Sequence, residues 1–406
     1  MIDKRAYRLI GDIQNYAWGC KNEKAFIPQL TGQPVEEGKP YAELWLGSHP
    51  KCPSQIDLDG QSLNLAELSE TDQEKMYSKN SLEQYGQGLP YLLKVLSAGE
   101  PLSIQAHPNK KQAGILHAQL PEHYPDDNHK PEIAIAMDSL LALIGFRAFS
   151  VLQEAFKELP EIVEFIGPQE CQLFLEAKPS NEQEEKDSLK ALFGCFIKQG
   201  SDEKQLAQCL SKLAERLNQK DELNGQEELF TQLYPQYPQA DIGLLCIFFL
   251  NLVHLKKGEG VFLKACVPHA YLSGNIIECM ANSDNVIRVG LTPKFKDGEN
   301  LVKMLSYEMG PISIMGSADI ESDIIYQPDV DEFEITRFSF VDELTKEYEQ
   351  SKCSIGIVLS GEVTIKYPEG TSHSFKKGES FILPAILTEM SFLGNADTEF
   401  YLATGK

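Results

Sequence analysis

The sequence predicts a mainly β protein, built as two copies of one β-architecture with a block of helices inserted in the first. Three observations carry that prediction. Both ends of the chain have strand-like texture, the middle has helical periodicity, and an eight-residue sequence recurs in the two β-rich parts.

Residues 1 to about 150 are short apolar or alternating runs, such as Tyr41–Leu46 and Tyr91–Leu96, broken by Gly, Pro, Asn and Asp. Runs of that kind, bounded by turn formers, read as strands. The texture changes near Ser150. From there to about Leu255, apolar residues recur with the period of a helix. Leu206, Cys209, Leu210, Leu213 and Leu217 fall on one stripe, with Ser201 and Asp202 ahead of it as candidate caps. Strand texture then returns and lasts to Lys406.

The repeat lies in that last part. Lys256–Leu263 reads KKGEGVFL and Lys376–Leu383 reads KKGESFIL, with five of eight residues identical. Each reads as a turn at Gly-Glu feeding a strand. The copies differ where chemistry would sit. Val267-Pro268-His269-Ala270-Tyr271 follows the first, whereas Pro384-Ala385-Ile386-Leu387 follows the second and contains no histidine. The second copy therefore reads as a scaffold without a metal. The expected division is 1–150 with 256–325 as one β-domain, 151–255 as the helical insertion, and 326–406 as the second β-domain.

Composition narrows the function. The 406 residues carry 37 basic and 60 acidic side chains, a net charge of −23. Such a field repels a phosphate backbone, so nucleic acid is not an expected partner. The first residues lack the apolar core of a signal peptide. The longest apolar run, Ile242–Leu250, is far too short to span a bilayer. Nine scattered cysteines without a CxxC pair fit a reducing compartment, so the expectation is a cytoplasmic protein with no membrane partner. Any anionic substrate would need a locally positive pocket.

Candidate chemistry gathers in a few segments. Of eight histidines, four fall between residues 107 and 129. In Ser103-Ile104-Gln105-Ala106-His107-Pro108, a strand places Gln105 and His107 on one face. In His129-Lys130-Pro131-Glu132, Pro131 biases Lys130 to an extended conformation, which favours presenting Glu132 from a strand. With His269, these residues form a mixed nitrogen and oxygen shell suited to zinc, although shell chemistry alone also admits manganese, iron or cobalt. One carboxylate on a divalent ion leaves a net positive site that can stabilise an anionic intermediate. A second polar cluster runs from Glu278 through Asp284 into a short strand with Arg288, then Lys294. Arginine suits bidentate phosphate binding, and lysine acts as a point charge.

In order, Asn15-Tyr16-Ala17-Trp18-Gly19, Ala42-Glu43-Leu44-Trp45, the Gln105 and Glu132 segments, Pro268-His269-Ala270-Tyr271-Leu272-Ser273-Gly274 and Ser283-Asp284-Asn285-Val286-Ile287-Arg288 resemble the type I mannose-6-phosphate isomerases. The resemblance implies a cupin fold: two jelly-roll β-barrels plus a helical domain. It implies one zinc ion per chain on Gln105, His107, Glu132 and His269. It places the family's active-site arginine on Arg288 and its phosphate and sugar contacts on Ser103 and Lys294. Lys94, Lys130, Tyr271, Glu278, Asp284 and Trp18 are further pocket candidates. Cys266-Val267, ahead of His269, is the one segment that departs from the family's look. The implied reaction interconverts mannose 6-phosphate and fructose 6-phosphate through a cis-enediol, in a monomer whose partner is a small sugar phosphate. His129 and Lys130 are candidates for ring opening and proton transfer, with Glu278 as the rival base.

Overall fold

The computed structural model describes residues 1–319 and 321–406. The chain is mainly β with a helical insertion, as expected. A ten-stranded antiparallel sheet runs in the order Ile314–Gly316, Glu259–Leu263, Glu132–Phe146, His269–Ala281, Tyr91–Ala98, Glu43–Gly47 and Asp12–Gln14. Leu250–Lys256 pairs with Glu132–Phe146 off that path. Ile104–Ala106 bridges the start of His269–Ala281 to Ile287–Gly290. The second β-unit has an eight-stranded and a four-stranded sheet.

Two features differ from the expected segmentation. Tyr7–Ile10 and the hairpin Gln55–Leu58/Gln61–Asn64 join the second unit's sheet, with Tyr7 opposite Ile382 and Leu9 opposite Ile56. The alternation explains why: Tyr7, Leu9 and Ile56 form one buried face that extends the edge of Ser380–Leu383. Period-2 texture identifies a strand but not the sheet it joins. The helices run from Phe149–Lys157 to Gly243–Cys246, so Leu250–Lys256 is already a strand of the first sheet. Its hydrophobic run is continuous with the buried Leu244–Phe249, and periodicity alone cannot separate the two.

The insertion is an α-helical layer packed on the first unit. The apolar stripe is the helix Glu203–Leu217, and all five stripe residues are buried. The Asp202 side chain accepts from Gln205 N and caps it, satisfying one otherwise orphaned donor. Pro160 and Pro168 open two neighbouring helices, at positions where the missing N–H costs nothing. No helix among the described residues is long and apolar enough to cross a membrane.

The repeated octapeptide makes the same turn twice. Gly258 and Gly378 have φ of +81° and +82°, a conformation that glycine adopts without a Cβ clash. Gly258 N donates to Ala136 O, and Gly378 N donates to Val358 O, each at 2.8 Å. In each copy the glutamate reaches back to the first lysine's amide: Glu259 Oε2 to Lys256 N at 2.8 Å and Glu379 Oε2 to Lys376 N at 2.9 Å.

Candidate metal centre and surrounding pocket

Three strands deliver the centre. His269 begins the long strand His269–Ala281, Glu132 begins its neighbour Glu132–Phe146, and His107 follows Ile104–Ala106. One metal-binding atom from each of His107, Glu132 and His269 lies within 4.8 Å of the others, and all three side chains are buried. His107 Nε2 is 3.3 Å from Glu132 Oε2, and His269 Nε2 is 3.1 Å from Glu132 Oε1.

The histidine tautomers follow from the other ring nitrogens. His107 Nδ1 is 2.8 Å from Asn285 O, and His269 Nδ1 is 3.0 Å from Val267 O. A carbonyl oxygen only accepts, so each Nδ1 carries the proton and each Nε2 presents a lone pair inward. Glu132 Oε2 and His269 Nε2 are buried without an aligned hydrogen bond. Lone pairs facing lone pairs in a buried site repel unless a cation lies among them. The donor set thus fits a divalent metal. Gln105 stands beside it, opposite both His269 and Arg288 in the strand register. Ser103 Oγ donates to Gln105 Oε1 at 3.2 Å.

Electrostatics reinforce that reading. Burial opposes the Glu132 charge, but Lys130, His107 and His269 outweigh it and hold its pKa well below the usual carboxylate range. Burial, then the Lys130 charge, push His107 down to about 4, which keeps its imidazole neutral and able to ligate. Lys130 Nζ is 3.2 Å from Glu132 Oε2 and 3.5 Å from His107 Nε2. Tyr271 OH donates to Glu132 Oε1 at 3.1 Å.

A second buried charge cluster adjoins it. Lys94 Nζ is 2.9 Å from Glu278 Oε2 and 3.5 Å from Glu43 Oε2, and Trp45 Nε1 donates to Glu43 at 2.5 Å. Burial alone would depress the Lys94 ammonium, but Glu278 and Glu43 raise it above its ordinary value. Glu278 is raised by burial, with Glu132 and Glu43 adding to the effect against Lys94 and Lys130. Arg288 and Lys294 differ from these paired groups. Burial lowers both, Arg288 further lowers Lys294, and neither forms an ion pair among the described residues. A partly buried arginine and an exposed lysine, neither with a counterion among the described residues, form the positive patch that an anionic substrate requires.

The model of the phosphomannose isomerase type I catalytic domain matches residues 6–149, and that of the family's helical insertion domain matches residues 165–250. The mannose-6-phosphate isomerase of Macaca fascicularis is 38% identical over 91% of this chain and 90% of its own length. The chain belongs to the type I phosphomannose isomerases. The Schizosaccharomyces pombe enzyme is 40% identical over 81% of this chain and 82% of its own. A crystal structure of a variant phosphomannose isomerase from Salmonella typhimurium covers 99% of this chain and 100% of its own, with 30% identity and a TM-score of 0.86. A mannose 6-phosphate isomerase crystallised with zinc and yttrium gives 0.84 at 30% identity, covering 99% of this chain and 100% of its own.

Within this family member, most residues singled out in the sequence converge. Gln105, His107, Glu132, His269, Lys130, Tyr271, Lys94 and Glu278 form one contiguous polar region. Trp18 stacks on Tyr16 with ring centres 5.9 Å apart, and Lys294 Nζ lies 5.8 Å from the Tyr16 ring centre. Asp284 is not free for a ligand: Lys51 Nζ at 2.8 Å and His49 Nε2 at 3.6 Å pair with it. His129 is not brought into the cluster. Its Nε2 sits 2.5 Å from Glu332 Oε1, in a cleft lined by Pro131, Phe262 and Lys264. Neighbours in an extended chain point to opposite sides, so Lys130 faces in and His129 faces out.

Sequence reasoning gave no role to Glu43, His49, Lys51 or Asp126. Glu43 had a readable signal, as a lone acid in the buried strand Glu43–Gly47. Asp126 accepts from Ser283 Oγ, Asp284 N and Asn285 Nδ2, and so fixes the loop whose Asn285 carbonyl orients His107. Those partners lie more than 150 residues away, and nothing local announces them.

Proposed function

We propose that this chain interconverts D-mannose 6-phosphate and D-fructose 6-phosphate through a cis-enediol, as a cytoplasmic monomer with one zinc ion per chain. The observation that carries the reading is the inward convergence of two Nε2 lone pairs and one carboxylate, in a member of this isomerase family. Gln105, His107, Glu132 and His269 would hold the ion. Bound there, zinc supplies a Lewis acid to the sugar oxygens at the two carbons that exchange the carbonyl.

The chain's own residues do the rest. Arg288 and Lys294, with Ser103, bind the phosphate, because they are the pocket cations left without counterions. Lys130, with its Nζ beside the His107 and Glu132 side chains, moves the proton between C2 and C1: its amine form takes the proton from one carbon and returns it to the other. Tyr271 holds Glu132 in its ligating orientation. Trp18 and Tyr16 wall the pocket beside Lys294. The buried carboxyl of Glu278, raised above the usual carboxylate range chiefly by burial and paired with Lys94, supports a second assignment of the proton carrier. His129, bound to Glu332, then helps to seat the segment that carries Lys130 rather than opening the ring. Nine unpaired cysteines support the reducing compartment.

The test is direct. Zinc-loaded protein incubated with mannose 6-phosphate should yield fructose 6-phosphate, and no product over long incubation rejects the proposal. In deuterated water, Lys130→Met should abolish label incorporation at C2. If label persists there but is lost in Glu278→Gln, the proton carrier is Glu278.

A further inference from the structure

Among its contacts with the first unit, the helical insertion grips the segment between Arg288 and Lys294 through Asp241, and that contact is tightly constrained. Asp241, just ahead of the short helix Gly243–Cys246, is buried. Its Oδ1 accepts from Gly243 N and from Leu291 N, both at 2.7 Å, and its Oδ2 from Thr292 N at 3.4 Å. Lys296 Nζ lies 3.6 Å from Oδ2. Gly243 and Gly290 press together so closely that a Cβ on Gly243 would lie 2.5 Å from Leu291 N, and one on Gly290 would lie 2.4 Å from Gly243 Cα.

The segment held this way joins the two unpaired cations. Arg288 sits in the strand Ile287–Gly290, opposite Gln105, and Lys294 follows a sharp change of direction. Leu291 makes that change with φ of +54°, a left-handed conformation that a leucine adopts only when its surroundings enforce it. The enforcing group is the Asp241 carboxylate, which captures the Leu291 amide. Thr292 Oγ1 then accepts from Lys294 N at 3.2 Å, which carries the geometry on to the second cation.

We propose that Asp241 is a positioning residue: from the insertion it sets the placement of Arg288 and Lys294, and through them phosphate affinity. The inference rests on the reading that those two cations take the substrate phosphate. Asp241 touches no reacting atom, so its loss acts on binding more than on chemistry.

The experiment uses the zinc-loaded full chain and measures kcat, KM for mannose 6-phosphate, the inhibition constant of inorganic phosphate, and bound zinc. Asp241→Ala should raise KM and the phosphate inhibition constant together by roughly 10-fold, with a smaller fall in kcat and unchanged zinc. Asp241→Asn, which keeps an acceptor oxygen, should raise both less. Gly243→Ala leaves Asp241 in place but forces the contact apart, so it should act in the same direction and covers the case in which Asp241→Ala does not fold. Adding Leu291→Gly to Asp241→Ala should recover part of the loss, because glycine takes the left-handed turn unaided; a merely structural role predicts no such rescue. Lys294→Met separates the two ideas. If it leaves phosphate inhibition unchanged, the phosphate reading fails. If it weakens inhibition while Asp241→Ala and Gly243→Ala do not, the positioning role alone is overturned.

Discussion

The two β-units use the same turn and the same strand register for opposite ends. In the first, Leu263 lies opposite Glu132, and His269 lies opposite Gln105. In the second, Leu383 lies opposite Ser354, and Glu389 lies opposite Glu349. The positions of a glutamate, a histidine and a glutamine are thus held by a serine and two exposed glutamates. Around Ser354 the buried polar groups satisfy one another. Ser354 Oγ donates to Gln350 Oε1 at 2.6 Å and lies 2.9 Å from Thr404 Oγ1, while Gln350 Nε2 donates to Pro384 O and Leu387 O. The first unit instead leaves Glu132 Oε2 and His269 Nε2 without aligned partners. One scaffold supports either a self-satisfied neutral cluster or a charged one that needs a cation. At the matched positions the difference lies in which side chains the shared turn and register present.

Substitutions at matched positions break the comparison most sharply. His269→Ala should remove bound zinc and lower isomerase activity by at least ~100-fold, whereas Glu389→Ala should change neither. Metal analysis alongside a coupled assay reads both. Equal loss in the two variants would contradict the assignment of chemistry to the first unit.

The next effect is on pH dependence. His107 has its pKa lowered to about 4 from an ordinary 6.5, by burial and then by Lys130. Between those values the unfolded chain binds a proton that the folded chain does not, so stability rises with pH across that window. Metal-free protein should therefore lose on the order of 3 kcal/mol as pH falls from 6.5 toward 4. Chemical denaturation of the apoprotein at several pH values measures it, and His107→Gln should flatten the slope. The Ser354 cluster contains no such group. Ser354→Ala should accordingly cost about 1 kcal/mol at every pH, the smallest effect, and leave kcat and KM unchanged.

The comparison also shows what the sequence made legible. The repeat was visible because its turn is local: a glycine at positive φ and a glutamate that bonds three residues back are both encoded within KKGE. The helical stripe was visible for the same reason. Local spacing lets Gln105, His107 and Glu132 face one site, and the family resemblance of the ordered motifs names them with His269 as the metal-site residues. Partnerships across the fold were not legible. The sheet joined by Tyr7–Ile10, the grip of Asp126 on the Asn285 loop and the pairing of His129 with Glu332 depend on segments brought together only by folding. His129 shares with Lys130 the candidacy for ring opening and proton transfer, but alternation in an extended chain turns its side chain to Glu332 instead.

The most direct test of a single catalytic metal centre is to strip the protein with chelator and titrate zinc back while following mannose 6-phosphate isomerisation. The account predicts no turnover in the stripped protein and a linear recovery that breaks at one zinc per chain. Full activity without metal, or recovery that continues to two zinc ions per chain, would contradict it.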